Sequence, residues 1–112
     1  MPIINCFIKK RKISFTKLQK ALRLWSKDTH IEEKQICLTV LQSQIQVGKQ
    51  YEIMIHLILP SIWNTKVKTT QLSLVKHISE CLSVDVSEIF LFTSIINSGN
   101  VIEKGEVIEW KL

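Results

Sequence analysis

The sequence has little with which to cross-link itself. Cysteine occurs three times, at Cys6, Cys37 and Cys81, each within an apolar run and none in a CxxC pair. An odd number of scattered thiols argues against a disulfide framework and offers no zinc-type ligand spacing. All three read as buried, reduced thiols, as expected of a cytoplasmic protein. The chain shows no secretory signal. Its longest apolar run, Ile53 to Trp63, contains His56 and Pro60 and is too short to span a bilayer. No metal, cofactor or membrane partner is expected. The net charge is +5, but much of the excess lies in one block, Lys9-Lys10-Arg11-Lys12. A local block without an aromatic stacking platform disfavours nucleic acid as a partner.

What is present suits one folded domain. The 112 residues are 46% hydrophobic and 22% charged, enough apolar surface for a core without staples. Pro2 to Ile8 reads as a strand, apolar except Asn5 and so buried on both sides. Ser14 is a good N-cap, and Phe15, Leu18, Leu22 and Trp25 recur at helical spacing, which predicts a helix over 15–27. Ile36 to Leu41 is a second strand. The polar stretch Gln42 to Gln50, with its Gly, predicts a turn or hairpin. Tyr51 to Leu59 is a third strand and Pro60 to Lys68 a linker. Leu72, Val75, Ile78, Ser79 and Leu82 mark a second amphipathic helix, and Ile89 to Ile96 a fourth strand.

This order repeats at a shift of about 53 residues, aligning Ser26 with Ser79, Ile36 with Ile89 and Leu38 with Leu91. The prediction is an α+β fold. Two βαβ units, about 2–47 and 51–96, form a four-stranded mixed sheet with two helices on one face. A C-terminal β-ribbon follows over 97–112, with turns at Ser98-Gly99-Asn100 and Lys104-Gly105. Three of the four long strands are apolar at nearly every position, yet the helices cover only one face. The other face needs partner subunits, so the chain is expected to be an obligate oligomer.

The opening Met1-Pro2-Ile3-Ile4, the two βαβ halves, the cations after the first strand, the stretch Leu82 to Phe92 and the Gly-bearing tail together resemble the tautomerase superfamily. The likeness is to its long-subunit group, which includes macrophage migration inhibitory factor and the malonate semialdehyde decarboxylases. The resemblance implies a homotrimer acting on a small carboxylate substrate. Pro2, once Met1 is removed, would be a secondary amine serving as general base in a keto–enol tautomerase. Burial and nearby cations would keep that amine neutral near pH 7. Cations would hold the substrate carboxylate and the enolate oxygen.

The resemblance implies an Arg in the first strand–helix loop, which falls on Lys12 or Arg11. Lys34 could supply a substitute cation from a neighbouring subunit, although a surface lysine at a strand end is the commoner role. Phe92 stands where larger relatives carry a tyrosine, and the stretch from Leu59 to Trp63 lacks their arginine pair, so chemistry needing that pair is not expected. A catalytically inactive oligomer of the same fold, serving as a binding or structural module, is the alternative. Glu103 could activate a water at the pocket mouth, against the ordinary reading of a wet ribbon face. His56 is an active-site or interface histidine or, more commonly for its type, a core histidine bonded to backbone. His30 and His77 read as surface. Trp63 and Trp110 either line the pocket or anchor a subunit contact.

Overall fold

The computed structural model describes residues 1–9, 13–43 and 45–111. β1 (Ile3–Lys9) leads to α1 (Phe15–Thr29), a 3₁₀ turn (Glu33–Gln35) and β2 (Cys37–Ser43). β3 (Ile53–Pro60) leads through a 3₁₀ segment (Ser61–Lys66) to α2 (Val67–Leu82), a second 3₁₀ turn (Val86–Glu88) and β4 (Ile89–Ile96). The ribbon is β5 (Val101–Glu103) and β6 (Glu106–Ile108). The sheet order is β2-β1-β3-β4, with β1–β2 and β3–β4 parallel and the central β1–β3 pair antiparallel. This is the expected α+β architecture of two βαβ units.

The internal repeat extends to individual hydrogen bonds. α1 ends at His30 and α2 at Ser83, both in the left-handed region (φ 59 and 56). Their N–H groups bond the Ser26 and Ser79 carbonyls, closing each helix end as a left-handed cap does. In both halves the same serine also takes the next amide and returns its hydroxyl. Ile31 and Val84 donate to the Ser26 and Ser79 carbonyls at 3.2 and 3.1 Å, and the serine hydroxyls donate to the carbonyls of Ile31 and Val84. Each pair is separated by the 53-residue shift read from the sequence.

One sheet face makes the core. Ile4, Cys6, Ile8, Ile53, Ile55, Leu57 and Leu59 pack under Leu18, Ala21, Trp25, Leu74, Ile78 and Leu82. Trp25 is completely buried and ties the helices together, its indole N–H donating to the Thr70 carbonyl at 3.1 Å. Periodicity misplaced two residues. Phe15 and Leu72 are 76% and 71% exposed; Phe15 lines a groove between α1 and β2, and Leu72 a shallow cleft by Lys68, Gln71 and Leu91. α2 starts at Val67, and its buried face is Thr70, Leu74, His77, Ile78 and Leu82.

Four further expectations are corrected. The connector after β2 is no hairpin, because β1 lies between β2 and β3; the chain crosses the sheet end, where the Gln46 side chain brackets the Tyr51 backbone with bonds of 2.9 and 3.0 Å. Cys6 is buried, but Cys81 is half-buried and Cys37 exposed, since Cys37 points to the uncovered face of an edge strand. His77 is buried rather than superficial, held at 2.7 Å by Asp28 of α1, which also accepts from Ser73 at 2.7 Å. β1 is not buried on both sides in the single chain: Phe7 is 37% exposed.

That second face is bare. Strand register sets Leu41, Phe7, Met54 and Phe90 in one row and Thr39, Asn5, His56 and Phe92 in the next. Leu41, Phe90 and Phe92 are 49%, 40% and 43% exposed. An apolar sheet face left open to this degree is an association surface or a liability.

Candidate functional site

The N-terminus, the end of β3 and the ribbon meet at one end of the sheet. Pro2 precedes β1, is fully buried, and its carbonyl accepts from the Cys37 amide at 3.1 Å as β2 begins. Ile3 pairs with Ile58 near the close of β3. There Ser61 is buried, and its hydroxyl accepts from the Trp110 indole N–H at 2.9 Å. A second bond, from the Trp110 amide to the Ser98 hydroxyl at 2.7 Å, fixes the same residue. The ribbon is thereby laid back against the sheet end. Its tip is a hairpin turn with positive φ at both Lys104 and Gly105 (53 and 80°), the mirror-image turn whose twist suits two strands.

This arrangement gives the first amine of the chain an unusual setting. The Met1 ammonium lies below its ordinary pKa because its surroundings strip away water, while the Glu103 carboxylate acts in the opposite sense. Glu103 and the N-terminus, at opposite ends of the sequence, are thus electrostatic neighbours. Met1 itself is 41% exposed and Pro2 is under 2% exposed, so burial deepens by one residue along the chain.

The other candidates are dispersed. Lys34 lies in the 3₁₀ turn before β2, at the same end as Pro2 because β1 and β2 are parallel. Its ammonium pairs with Glu32 at 3.1 Å and lines the α1–β2 groove of about 520 Å³, which Pro2 does not line. Phe92 is on the bare face, stacked on the His56 ring at 4.4 Å and 14°. His56 is bonded to the Ser94 hydroxyl at 2.7 Å rather than to backbone. It is half-buried on that same face, so the interface-type reading of this histidine fits better than the core one. Arg11 and Lys12 lie outside the described residues; β1 ends at Lys9, the opposite end of the strand from Pro2.

Trp110 anchors the ribbon within its own chain. Trp63 packs on the core edge with the Lys66 ammonium 5.8 Å from its ring. Sequence reasoning missed Ser61 and Ser98, whose small hydroxyls give no signal except their spacing from the tail tryptophan. Among the described residues no group of three or more His, Cys, Asp or Glu could hold a metal ion, and no helix is long and apolar enough to cross a membrane.

No family model and no curated relative matches this sequence. Solved structures do. The crystal structure of native fused 4-OT superposes with a TM-score of 0.77 at 8% identity, covering 94% of both chains. A macrophage migration inhibitory factor-like protein from Entamoeba histolytica gives 0.73 at 12% identity, covering 96% of this chain and 98% of its own. A wild-type fused 4-OT described as a symmetric trimer gives 0.72 at 12% identity over 94% of each chain. Whole-chain likeness of this extent shows a shared fold.

Proposed function

We infer that this chain, which has the fold of the tautomerase superfamily, is an N-terminal-proline tautomerase that isomerises a small 2-keto or enol acid. The observation that carries the reading is the desolvated chain start beside Glu103. Loss of Met1 would move the free amine onto Pro2, one residue deeper, where the ammonium form is still less favoured. A neutral secondary amine there takes a proton from the enol oxygen, or from the carbon beside the carbonyl, and returns it to the other atom. Nothing else need be consumed or released.

The cations have separate assignments. Lys34 shares the sheet end with Pro2 and is the candidate carboxylate clamp within one chain. Seven strand residues span about 20 Å, so Arg11 or Lys12, which follow the far end of β1 in sequence, serve the pocket of a neighbouring copy in this reading. The bare sheet face supports a homo-oligomer, for which the trimer of a fused 4-OT is the template. Phe92, without a hydroxyl, would wall that shared pocket rather than polarise substrate, and Glu103 would tune the amine.

A second reading, a tautomerase-fold oligomer without chemistry, is favoured by Phe92 and by the absence of arginine between Leu59 and Trp63. One experiment separates the two. Intact mass of protein from its native host should lack Met1, and enol–keto conversion of a phenylpyruvate-like acid should fall by about 10²-fold or more in Pro2→Ala. Complete retention of Met1, which leaves the proline nitrogen an amide, removes the tautomerase reading.

A further inference from the structure

The positive charge of this chain is concentrated in its first quarter. Residues 1–27 carry eight of the fifteen Lys and Arg and none of the ten Asp and Glu. Four of the eight are Lys9 to Lys12; the other four are on α1. Lys17, Lys20, Arg23 and Lys27 recur every three to four positions, and all four are exposed. Lys20, Arg23 and Lys27 share the face opposite Leu18, Ala21 and Trp25, which are buried, and Lys17 flanks it. From Lys17 to Lys27 the helix rises about 15 Å.

The nearby carboxylates do not neutralise this face. Glu33 takes Arg23 at 3.5 Å, Glu32 takes Lys34, and Asp28 accepts from Ser73 and His77. Lys17, Lys20 and Lys27 have no ion-pair partner among the described residues. Three unpaired lysines and a partly neutralised arginine along one rigid helix repel one another, an arrangement that a counter-charged partner relieves.

We propose that the outer face of α1 binds the phosphate backbone of double-stranded nucleic acid without reading sequence. The partner's chemistry follows from what the face lacks. The apolar side of α1 is in the core, so the helix has nothing to insert into a lipid surface. Its one exposed aromatic, Phe15, is at the helix start, and a single ring is no platform for a run of unstacked bases. What remains is a row of point charges about 15 Å long, and a duplex carries about four phosphates per strand over that length. The four-residue block in the sequence alone disfavours nucleic acid; the outer face of α1 carries four further cations along a defined axis. This surface is on the helix layer and is independent of the Pro2 end and of any catalysis there.

The test is the salt dependence of binding to a fluorescent duplex of roughly 30 base pairs, between about 50 and 200 mM salt. Wild type should bind at the low end and weaken steeply. Lys17→Gln/Lys20→Gln/Lys27→Gln should make the slope of log K against log salt shallower by about 2 to 3, from about 0.9 per phosphate contact. A control with the same net charge, Lys49→Gln/Lys104→Gln/Lys111→Gln, should keep the wild-type slope. Circular dichroism checks that both variants fold. No binding at about 50 mM salt, an unchanged slope in the α1 variant, or an equal loss in the control would overturn the proposal. Tighter binding to phosphatidylserine vesicles than to the duplex would overturn it as well, in favour of a membrane.

Discussion

Replacing Phe90 with Asp should dissociate the protein while leaving its fold intact. Phe90 stands on the bare sheet face in register with Met54 and Phe7, is 40% exposed, and touches Tyr51 and Phe92 at ring distances of 5.2 and 6.1 Å. A buried aromatic side chain covers about 150–250 Å², so the part of Phe90 still in water is on the order of 80 Å². At about 25 cal/mol per Å² its burial stabilises association by about 2 kcal/mol per copy. An Asp loses that term and must also be stripped of water against apolar neighbours, at a further cost of several kcal/mol. Each 1.4 kcal/mol is about tenfold in affinity, so a loss of at least 10²-fold is the conservative expectation. Sedimentation velocity across a micromolar dilution series should show wild type associated and Phe90→Asp monomeric, with the far-ultraviolet spectrum unchanged. Leu72→Asp, at a more exposed apolar residue on the helix side, should stay assembled. Monomeric wild type, or an undiminished assembly of Phe90→Asp, would refute the argument that the bare face is an interface.

Other consequences can be measured singly. Trp25→Phe removes an indole N–H from Thr70 in the middle of the core and should cost about 1–3 kcal/mol in urea denaturation, with little effect on assembly. The Cys6 thiol is pushed up to about 12 by burial, so iodoacetamide should label it only after unfolding. Glu103 acts to raise the pKa of the Met1 amine; if it acts alike on the Pro2 amine freed by loss of Met1, Glu103→Gln should move the acid limb of any Pro2-dependent activity to lower pH. The Ser73 and His77 hydrogen bonds hold Asp28 below its ordinary value of 3.8. A depressed carboxylate contributes stability above the unfolded pKa and loses it as pH falls through the folded one. Urea midpoints between about pH 5 and 2 should therefore fall less steeply in Asp28→Asn than in wild type.

Much of this architecture is legible without coordinates because it is written locally. β4 begins and ends where its apolar run does, and the Lys104-Gly105 turn has the residue type its backbone requires. Ser26 and Ser79, matched by the repeat, prove to make the same bonds in both halves. What escaped depends on pairing across distance. His77 is a buried histidine because Asp28, 49 residues earlier, meets it across the helix pair. The connector after β2 resembles a hairpin until β1 is found between its strands. Phe15 and Leu72 satisfy the helical period but fall at groove margins, where an apolar residue stays in water. The candidate site divides in the same way. Pro2 announces itself by position, whereas the electrostatic nearness of the Met1 amine and Glu103 goes with the tail lying against the sheet end, where Trp110 reaches Ser61, a contact that no local pattern records.

The strand order leaves β4 at the margin of the sheet. Its sequence, Ile-Phe-Leu-Phe-Thr-Ser-Ile-Ile, has eight residues with no charge, proline or glycine. A lone chain therefore offers a row of unsatisfied amides and carbonyls on a segment whose composition favours stacking with copies of itself. No lysine gatekeeper or bulge blunts it. If the bare face is an interface as proposed, assembly has a protective meaning as well as a constructive one: newly made chains would have to find their partners before their edges find each other. Expression level, dilution and chaperone supply would decide between a discrete oligomer and an aggregate.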